Sequence, residues 1–438
     1  MSTTSIDPQF VALPGVPAFS GQRSTPVLPP STPSRTRGLR ATTAELIFRG
    51  MVRKLPIRVL LADGRSWGAG GHDAPVMTIA RPAALFERLG RDANIGMGEA
   101  YQAGDWDSAD LADLLTVFAT TLNAVPPALQ SLRHRAQRIR AARDANTADV
   151  SRRNTSAHYD LSNEMFAAFL DETMSYSSAL FCPEDAGAAT DGRVDILTRA
   201  QLRKIDAVLD YAGVVAGSHV IEIGTGWGAL SIRAAQRGAT VTSLTLSTEQ
   251  QRLAQERVRL AGVEDRVTIL LQDYRQAVGR YDAVVSVEMI EAVGAEYWGT
   301  YFSTLDSLLK PGGRIALQSI TMPDDRMKVT RRAYTWINKY IFPGGLIPSI
   351  AAIEDTVARH TSLRITKRHD FGSDYARTLD FWRERFRANW NPGAADLDPV
   401  FIRTWDYYLA YCEAGFRTAY IDVSLLQLSR PQSVEAAA

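Results

Sequence analysis

The chain has 438 residues, long for a single hydrophobic core, so two domains with flanking segments are expected. Apolar content of 45% and charged content of 22% are ordinary for a globular protein, and a formal net charge of +1 excludes nucleic-acid binding by bulk electrostatics. Two cysteines, Cys182 and Cys412, exclude a disulfide framework and lack metal-ligand spacing. No apolar run is long enough to span a bilayer, and the N-terminus lacks the pattern of a secretory signal. A cytoplasmic protein is expected, one that meets lipid only as a peripheral visitor at the inner face of the cell membrane.

Residues 1–40, rich in Pro, Ser and Thr and without periodicity, read as a disordered leader. A helical pattern then runs from Thr43 through Leu55. Ile57–Leu61 predicts a strand closed by the turn Ala62-Asp63-Gly64, and Val76–Ile79 predicts another. Pro82–Leu89 and Ser108–Leu122 read as helices, with Gly98-Glu99-Ala100-Tyr101 and Gly104-Asp105-Trp106 between them. Residues 41–125 therefore make a small α+β domain. Residues 126–153 form a linker carrying Arg133, Arg135, Arg138, Arg140, Arg143, Arg152 and Arg153. Two readings of it stay open: a solvated helix, or a surface for anionic phospholipid headgroups, where each basic side chain contributes about 1 kcal/mol.

From residue 154 to 430 short apolar runs alternate with helical periods, ahead of a short tail at 431–438. Val220–Ile223, Thr240–Leu244, Val267–Leu271, Ala283–Ser286 and Arg314–Ser319 are strand-like. This alternation predicts an α/β fold, a mostly parallel sheet with helices on both faces.

The sharpest local signal is Val220-Ile221-Glu222-Ile223-Gly224-Thr225-Gly226-Trp227-Gly228, between a strand and a helix starting near Ala229. Closely spaced glycines let the backbone approach a ligand and adopt positive φ. The spacing is G-x-G-x-G, whereas a dinucleotide fingerprint is G-x-G-x-x-G. The preceding Glu222 suits either a ligand's ammonium group or a hydrogen bond that braces the loop. Together these features favour S-adenosylmethionine over NAD. After the next two strands, Gln250 or Glu249 is placed to hold ribose hydroxyls, and Asp273 to accept from an adenine amino group.

Several further motifs occur in order: His158-Tyr159-Asp160-Leu161-Ser162-Asn163, Met174-Ser175-Tyr176-Ser177-Ser178-Ala179, Val287-Glu288-Met289-Ile290-Glu291-Ala292-Val293-Gly294, and Phe371-Gly372-Ser373-Asp374-Tyr375-Ala376-Arg377-Thr378-Leu379. With the glycine loop they make the chain resemble the cyclopropane-fatty-acyl-phospholipid synthase and mycolic acid cyclopropane synthase family, from the small domain to Tyr420. Gln318-Ser319-Ile320-Thr321-Met322-Pro323 and Lys339-Tyr340-Ile341-Phe342-Pro343-Gly344-Gly345 resemble an actinobacterial subgroup of the tuberculostearic acid pathway. That resemblance implies a class I methyltransferase fold and an enzyme acting on oleoyl phospholipid. The implied product is a methylene-branched chain, which a separate reductase converts to the 10-methyl acid. Cofactor contacts are implied at Ser175, Tyr176, Ser177, Gly224, Gly226, Gly228, Thr245, Leu246 and Gln250, and near Asp273. A bound bicarbonate is implied as base, cradled by Ser178, Glu291, Gln318, Ile320 and Tyr375. Ser178 stands where cysteine is usual and Gln318 where histidine is usual, although each still donates a hydrogen bond.

On this reading an electrophilic methyl group meets a weakly nucleophilic alkene, so the chemistry depends on alignment. The carbocation left on the chain needs a dry pocket, and aromatic faces stabilise it by about 0.5–2 kcal/mol each. Candidates are Tyr334, Trp336, Tyr340, Phe342, Phe381, Trp382, Trp405, Tyr407, Tyr408 and Tyr411, although for any single one of them core packing is the better reading. Proton loss with ring closure gives a cyclopropane, whereas a prior hydride shift gives an exocyclic methylene. Glu291 is expected to orient the base, Glu288 to brace its loop, and His158 to act structurally or as a gate. No metal cluster is expected. A cyclopropane synthase, a small-molecule methyltransferase, an inactive lipid-binding protein of the same fold, and a homodimer all stay open.

Overall fold

The computed structural model describes residues 38–123, 163–186, 195–331, 333–389 and 398–431. The basic linker, His158 and most of the leader and tail lie outside the described residues. Helix α1 (Leu39–Val52) starts ahead of the expected boundary, so Leu39 and Arg40 belong to the small domain and not to the leader. Its buried face is only Ala41, Phe48 and Val52, while Leu39, Leu46 and Ile47 are exposed. That placement blurs the amphipathic pattern that sequence reading relies on.

Four short strands follow: β1 (Arg58–Leu61), β2 (Ser66–Trp67), β3 (Val76–Ile79) and, later, β4 (Trp106–Asp107). They form a sheet in the order β2-β1-β3-β4, with β1 and β3 parallel. Helix α2 (Pro82–Arg91) has Pro82 in its first turn, where a missing N–H costs nothing. Helix α3 (Ala93–Gln102) is capped by Asp92, whose carboxylate accepts from Asn94 N–H at 3.0 Å. Two glycines in α3 disfavour a helix on propensity alone, and packing explains them. A Cβ on Gly96 would enter the backbone of Arg88, and one on Gly98 would enter the indole of Trp336. Helix α4 (Leu111–Asn123) closes the small domain.

The large sheet has the order β7-β6-β5-β8-β9-β11-β10. Strands β5 (His219–Ile223), β6 (Thr240–Thr245), β7 (Val267–Leu271), β8 (Tyr281–Val287) and β9 (Leu309–Thr321) are mutually parallel. Strands β10 (Arg364–Asp370) and β11 (Asp422–Ser429) add an antiparallel edge. Strand β10 is polar and mostly exposed, so it gave no apolar run to read. Around the sheet lie α5 (Ile196–Ala212), α6 (Ala229–Gln236), α7 (Thr248–Leu260) and α8 (Trp298–Leu308). Further along come α9 (Trp336–Tyr340), α10 (Gly372–Asn389) and α11 (Pro399–Arg417). Strand order reverses between β5 and β8, and a crevice opens beyond the carboxyl ends of strands at such a point.

The Gly98–Trp106 segment joins the small domain to α9 and α11. Tyr101 donates to Asp406 at 2.7 Å, Gln102 to Thr404 at 2.8 Å, and the Trp336 indole N–H to Gln102 at 3.0 Å. These groups are almost wholly buried, so the pairing is a condition of burial as well as a source of stability. Among the described residues no helix is long and apolar enough to cross a membrane.

Candidate active site

One cavity of about 1610 Å³ extends from the glycine loop to α1 and α4 of the small domain. Ordinary small-molecule sites hold roughly 300–1,000 Å³, so this space suits a ligand larger than a nucleoside. Its walls bring together β5, β6, β8, β9, α10 and α11.

The cofactor end is shaped by backbone. Gly224, Gly226 and Gly228 take φ of 98°, 52° and 86°, all in the region that favours glycine. A Cβ on Gly224 would lie 2.7 Å from Met289 Sδ, whereas one on Gly226 would point into open space. Gly228 instead packs toward α7, with Ala254 Cβ 3.3 Å from a built Cβ, and does not line the cavity. Glu222 braces the loop: its Oε2 accepts from Ser231 at 2.5 Å and Ser243 at 2.6 Å. Burial pushes its carboxyl up to about 7 against those hydroxyls and the field of Lys204. Thr245 donates to the Gln250 side-chain oxygen at 2.9 Å, and Leu246 lines the same wall.

Ser175, Tyr176 and Ser177 also line the cavity. Met174 precedes them with φ of 56°. Gln201 holds the segment by donating to the Ser177 carbonyl at 2.8 Å, and the Tyr176 ring stacks on Trp382 at 5.4 Å. Asp273 is placed differently from its expected adenine contact. Its carboxylate is held by Arg275 at 2.9 and 2.6 Å and does not line the cavity, although its neighbours Gln272 and Tyr274 do. Glu249 likewise faces away and pairs with Arg252. A carboxylate next to an arginine in sequence is readily claimed by it.

The five residues expected to cradle an anion do converge, and the group at their centre is Glu288. Its Oε1 accepts from the Ser178 backbone N–H at 3.0 Å and from Gln318 Nε2 at 2.8 Å. Its Oε2 accepts from the Tyr375 hydroxyl at 2.7 Å. The fourth donor, the Ile320 N–H, goes to Glu291 Oε1 at 2.5 Å, and Ser319 joins it at 3.0 Å. Glu291 Oε2 and Gln318 Oε1 are buried without a hydrogen-bond partner. All four donors assigned to a bicarbonate are thus engaged by carboxylates of the chain itself, and this arrangement does not fit a bound bicarbonate. The role expected for Glu288, loop bracing, changes accordingly. The serine at 178 has no bearing on the cradle through its side chain, since its hydroxyl donates to the Ala179 carbonyl at 2.9 Å.

Burial raises both carboxyls. For Glu288 the bonds from Tyr375, Ser178 and Gln318 and the charge of Lys204 favour the ionised form. Glu291 is pushed up to about 8, by burial first and then by repulsion from Glu288. Two adjacent buried carboxyls do not both ionise readily, so Glu288 is the charged member and Glu291 holds the proton. Lys204, which no motif pointed to, is buried on α5 and donates to Ser177 Oγ at 2.6 Å. Burial lowers its ammonium to about 8, while Glu288, Asp171 and Glu222 resist that shift. Its only sequence signal was a lysine on the apolar face of an amphipathic helix.

Beyond the carboxylates the wall is apolar and aromatic. Tyr334, Phe342, Tyr407, Tyr408 and Tyr411 line it, as expected of some of the candidate rings. Trp336, Tyr340, Phe381, Trp382 and Trp405 do not, and serve in packing.

Comparisons with known proteins show the family to which the chain belongs. The family model for mycolic acid cyclopropane synthetase matches residues 144–426. Tuberculostearic acid methyltransferase UfaA1 of Mycobacterium tuberculosis is 52% identical over 87% of this chain and 90% of its own length. Cyclopropane-fatty-acyl-phospholipid synthase of Escherichia coli is 35% identical over 83% of this chain and 89% of its own. In solved structures, mycolic acid cyclopropane synthase CmaA1 complexed with SAH and CTAB superposes with a TM-score of 0.57 at 30% identity, covering 63% of this chain and 97% of that one. The chain belongs to the mycolic acid cyclopropane synthetase family and is an S-adenosylmethionine-dependent methyltransferase of the class that modifies lipid acyl chains.

Proposed function

We propose that the protein methylates the cis double bond of an unsaturated, oleoyl-type chain while that chain is part of a phospholipid, and that the product is methylene-branched. The observation that carries this reading is the single cavity joining the cofactor loop, the paired carboxyls and the small domain. Matches to UfaA1 and to the E. coli phospholipid synthase span 386 and 367 residues, too many to lie within the family model alone, so they include part of the small domain. The cavity reaches that domain at α1 and α4, where Ile47, Phe48, Leu115 and Phe118 line it. Along α1, Leu39 is 89% and Ile47 61% exposed, apolar surface suited to a bilayer where the cavity meets the small domain. A peripheral protein at the inner face of the membrane follows from this reading.

When bound, S-adenosylmethionine supplies an electrophilic sulfonium methyl group. Gly224 and Gly226 leave room for the nucleoside, and the Tyr176–Ser177 segment lines the same cavity. The apolar channel aligns the alkene and keeps water from the cation that forms on the acyl chain. Rings of Tyr176, Tyr408 and Phe342 line the same cavity as Glu288 and offer faces that stabilise positive charge. A buried base then removes a proton, and the resulting methylene is the substrate class for a separate reductase.

Purified protein given labelled S-adenosylmethionine and vesicles of oleoyl phospholipid should place label in the acyl chain at a new exocyclic methylene. A cyclopropane product would reject the methylene assignment alone. Label confined to small molecules, with lipid unaltered, would reject the lipid reading.

A further inference from the structure

We propose that the Glu288 carboxylate, in place of a bound bicarbonate, is the base that takes the proton from the cationic acyl chain; the inference rests on the acyl-methylation reading above. The first support is the use of donors. The Ser178 N–H, the Gln318 amide and the Tyr375 hydroxyl all end on the two oxygens of Glu288, and the Ile320 N–H ends on Glu291. An anion needs hydrogen-bond donors to replace its water, and none of these four is left for one. A second anion placed beside an ionised Glu288 would also meet its repulsion.

Backbone geometry is the second support. Glu288 follows the last residue of β8 and has φ of 52°, one of three non-glycine residues with positive φ among the described residues. A glycine would adopt this conformation without strain, so the carboxylate is held there against a local cost. Glu288 lines the cavity, as do Glu291, Tyr375 and Lys204, so the cradle and the acyl channel meet at this residue. Protonated Glu291 next to it keeps the pair at a single negative charge, and Lys204 supplies the balancing cation. The cradle therefore presents one fixed, desolvated carboxylate where a family relative would be expected to recruit an ion.

The step balances without another reactant. Methyl addition uses the alkene π pair to form a C–C bond and leaves the neighbouring carbon cationic. A 1,2-hydride shift moves the cation to the carbon that bears the new methyl. Glu288 then forms an O–H bond with one methyl hydrogen, and the C–H electron pair becomes the exocyclic C=C bond. The proton on Glu288 passes to water when product leaves.

The test compares wild type, Glu288→Gln and Glu288→Gly on oleoyl phospholipid vesicles, in carbon-dioxide-free buffer with and without added bicarbonate or formate. Wild type should turn over equally well with and without bicarbonate. Glu288→Gln should lose about 100-fold or more in turnover, the usual scale for a general base, with cofactor affinity unchanged. Glu288→Gly relieves the positive φ and frees three donors, so it should be inactive alone and revived by bicarbonate or formate in a concentration-dependent way. A wild type that is active only with bicarbonate would overturn the inference while leaving lipid methylation intact. So would a Glu288→Gln enzyme of normal turnover, or a folded Glu288→Gly enzyme that neither anion revives. A wild type that leaves lipid unlabelled even with bicarbonate would defeat the acyl reading itself, and this inference with it.

Discussion

The cofactor crevice and the carboxylate cradle lie at the ends of neighbouring strands, yet they are made of different materials. The crevice is a shape, set by glycines whose missing side chains leave space beside β5. The cradle is a charge balance, set by two buried carboxyls, three donors to one of them, and a buried lysine. A shape fails when its volume is filled. A charge balance fails when a donor or a proton is misplaced, and it tolerates changes that leave both alone.

The largest effect should come from filling the crevice. Gly226→Val would put a branched side chain into open cavity at positive φ, and cofactor binding by calorimetry should weaken at least about 100-fold. Unchanged binding would show that the nucleoside sits elsewhere. In the cradle, Tyr375→Phe removes one hydrogen bond to a charged oxygen, of a kind that contributes roughly 1.5–3 kcal/mol. Turnover should drop about 10- to 100-fold while cofactor affinity holds, and a parallel loss of affinity would mean that the two regions are not separable.

Glu291→Gln should cost less, below about 10-fold in turnover, because a neutral amide resembles a protonated carboxyl and its oxygen keeps the bonds from Ile320 and Ser319. A loss as deep as that of Glu288→Gln would assign the negative charge to Glu291. The smallest effect is expected of Ser178→Cys. Its backbone N–H, and not its hydroxyl, meets Glu288, so kinetics should stay within about twofold of wild type. A larger change would show that the side chain reorients during the reaction.

These same two regions differ in how much of them can be read from sequence. The glycine loop is a local spacing, and both its strand–turn–helix context and the five parallel strands were predictable. Tyr375 and Gln318 were placed near Glu291 only by the family resemblance, and the structure does bring them together. What that resemblance did not carry is which of two glutamates, three residues apart on one turn, receives the donors. That depends on the positive φ of Glu288, which turns its side chain into the cradle, and no spacing rule reports it. Lys204 was hidden for a related reason: its charge is balanced by Glu288, Asp171 and Glu222, contributed by three distant segments. At Asp273 the carboxylate is held by the nearby Arg275, a pairing that the residue's place after its strand does not report. Helix α3 was missed because its glycines answer to Arg88 and Trp336 rather than to helix propensity.

The most direct test of the account uses S-adenosylmethionine with a trideuteriomethyl group, oleoyl phospholipid vesicles and no bicarbonate, with mass spectrometry and NMR of the released acyl chain. The account predicts an exocyclic =CD2 group, one deuteron having gone to Glu288. An acyl chain without deuterium, or one that keeps an intact CD3 branch, would contradict it.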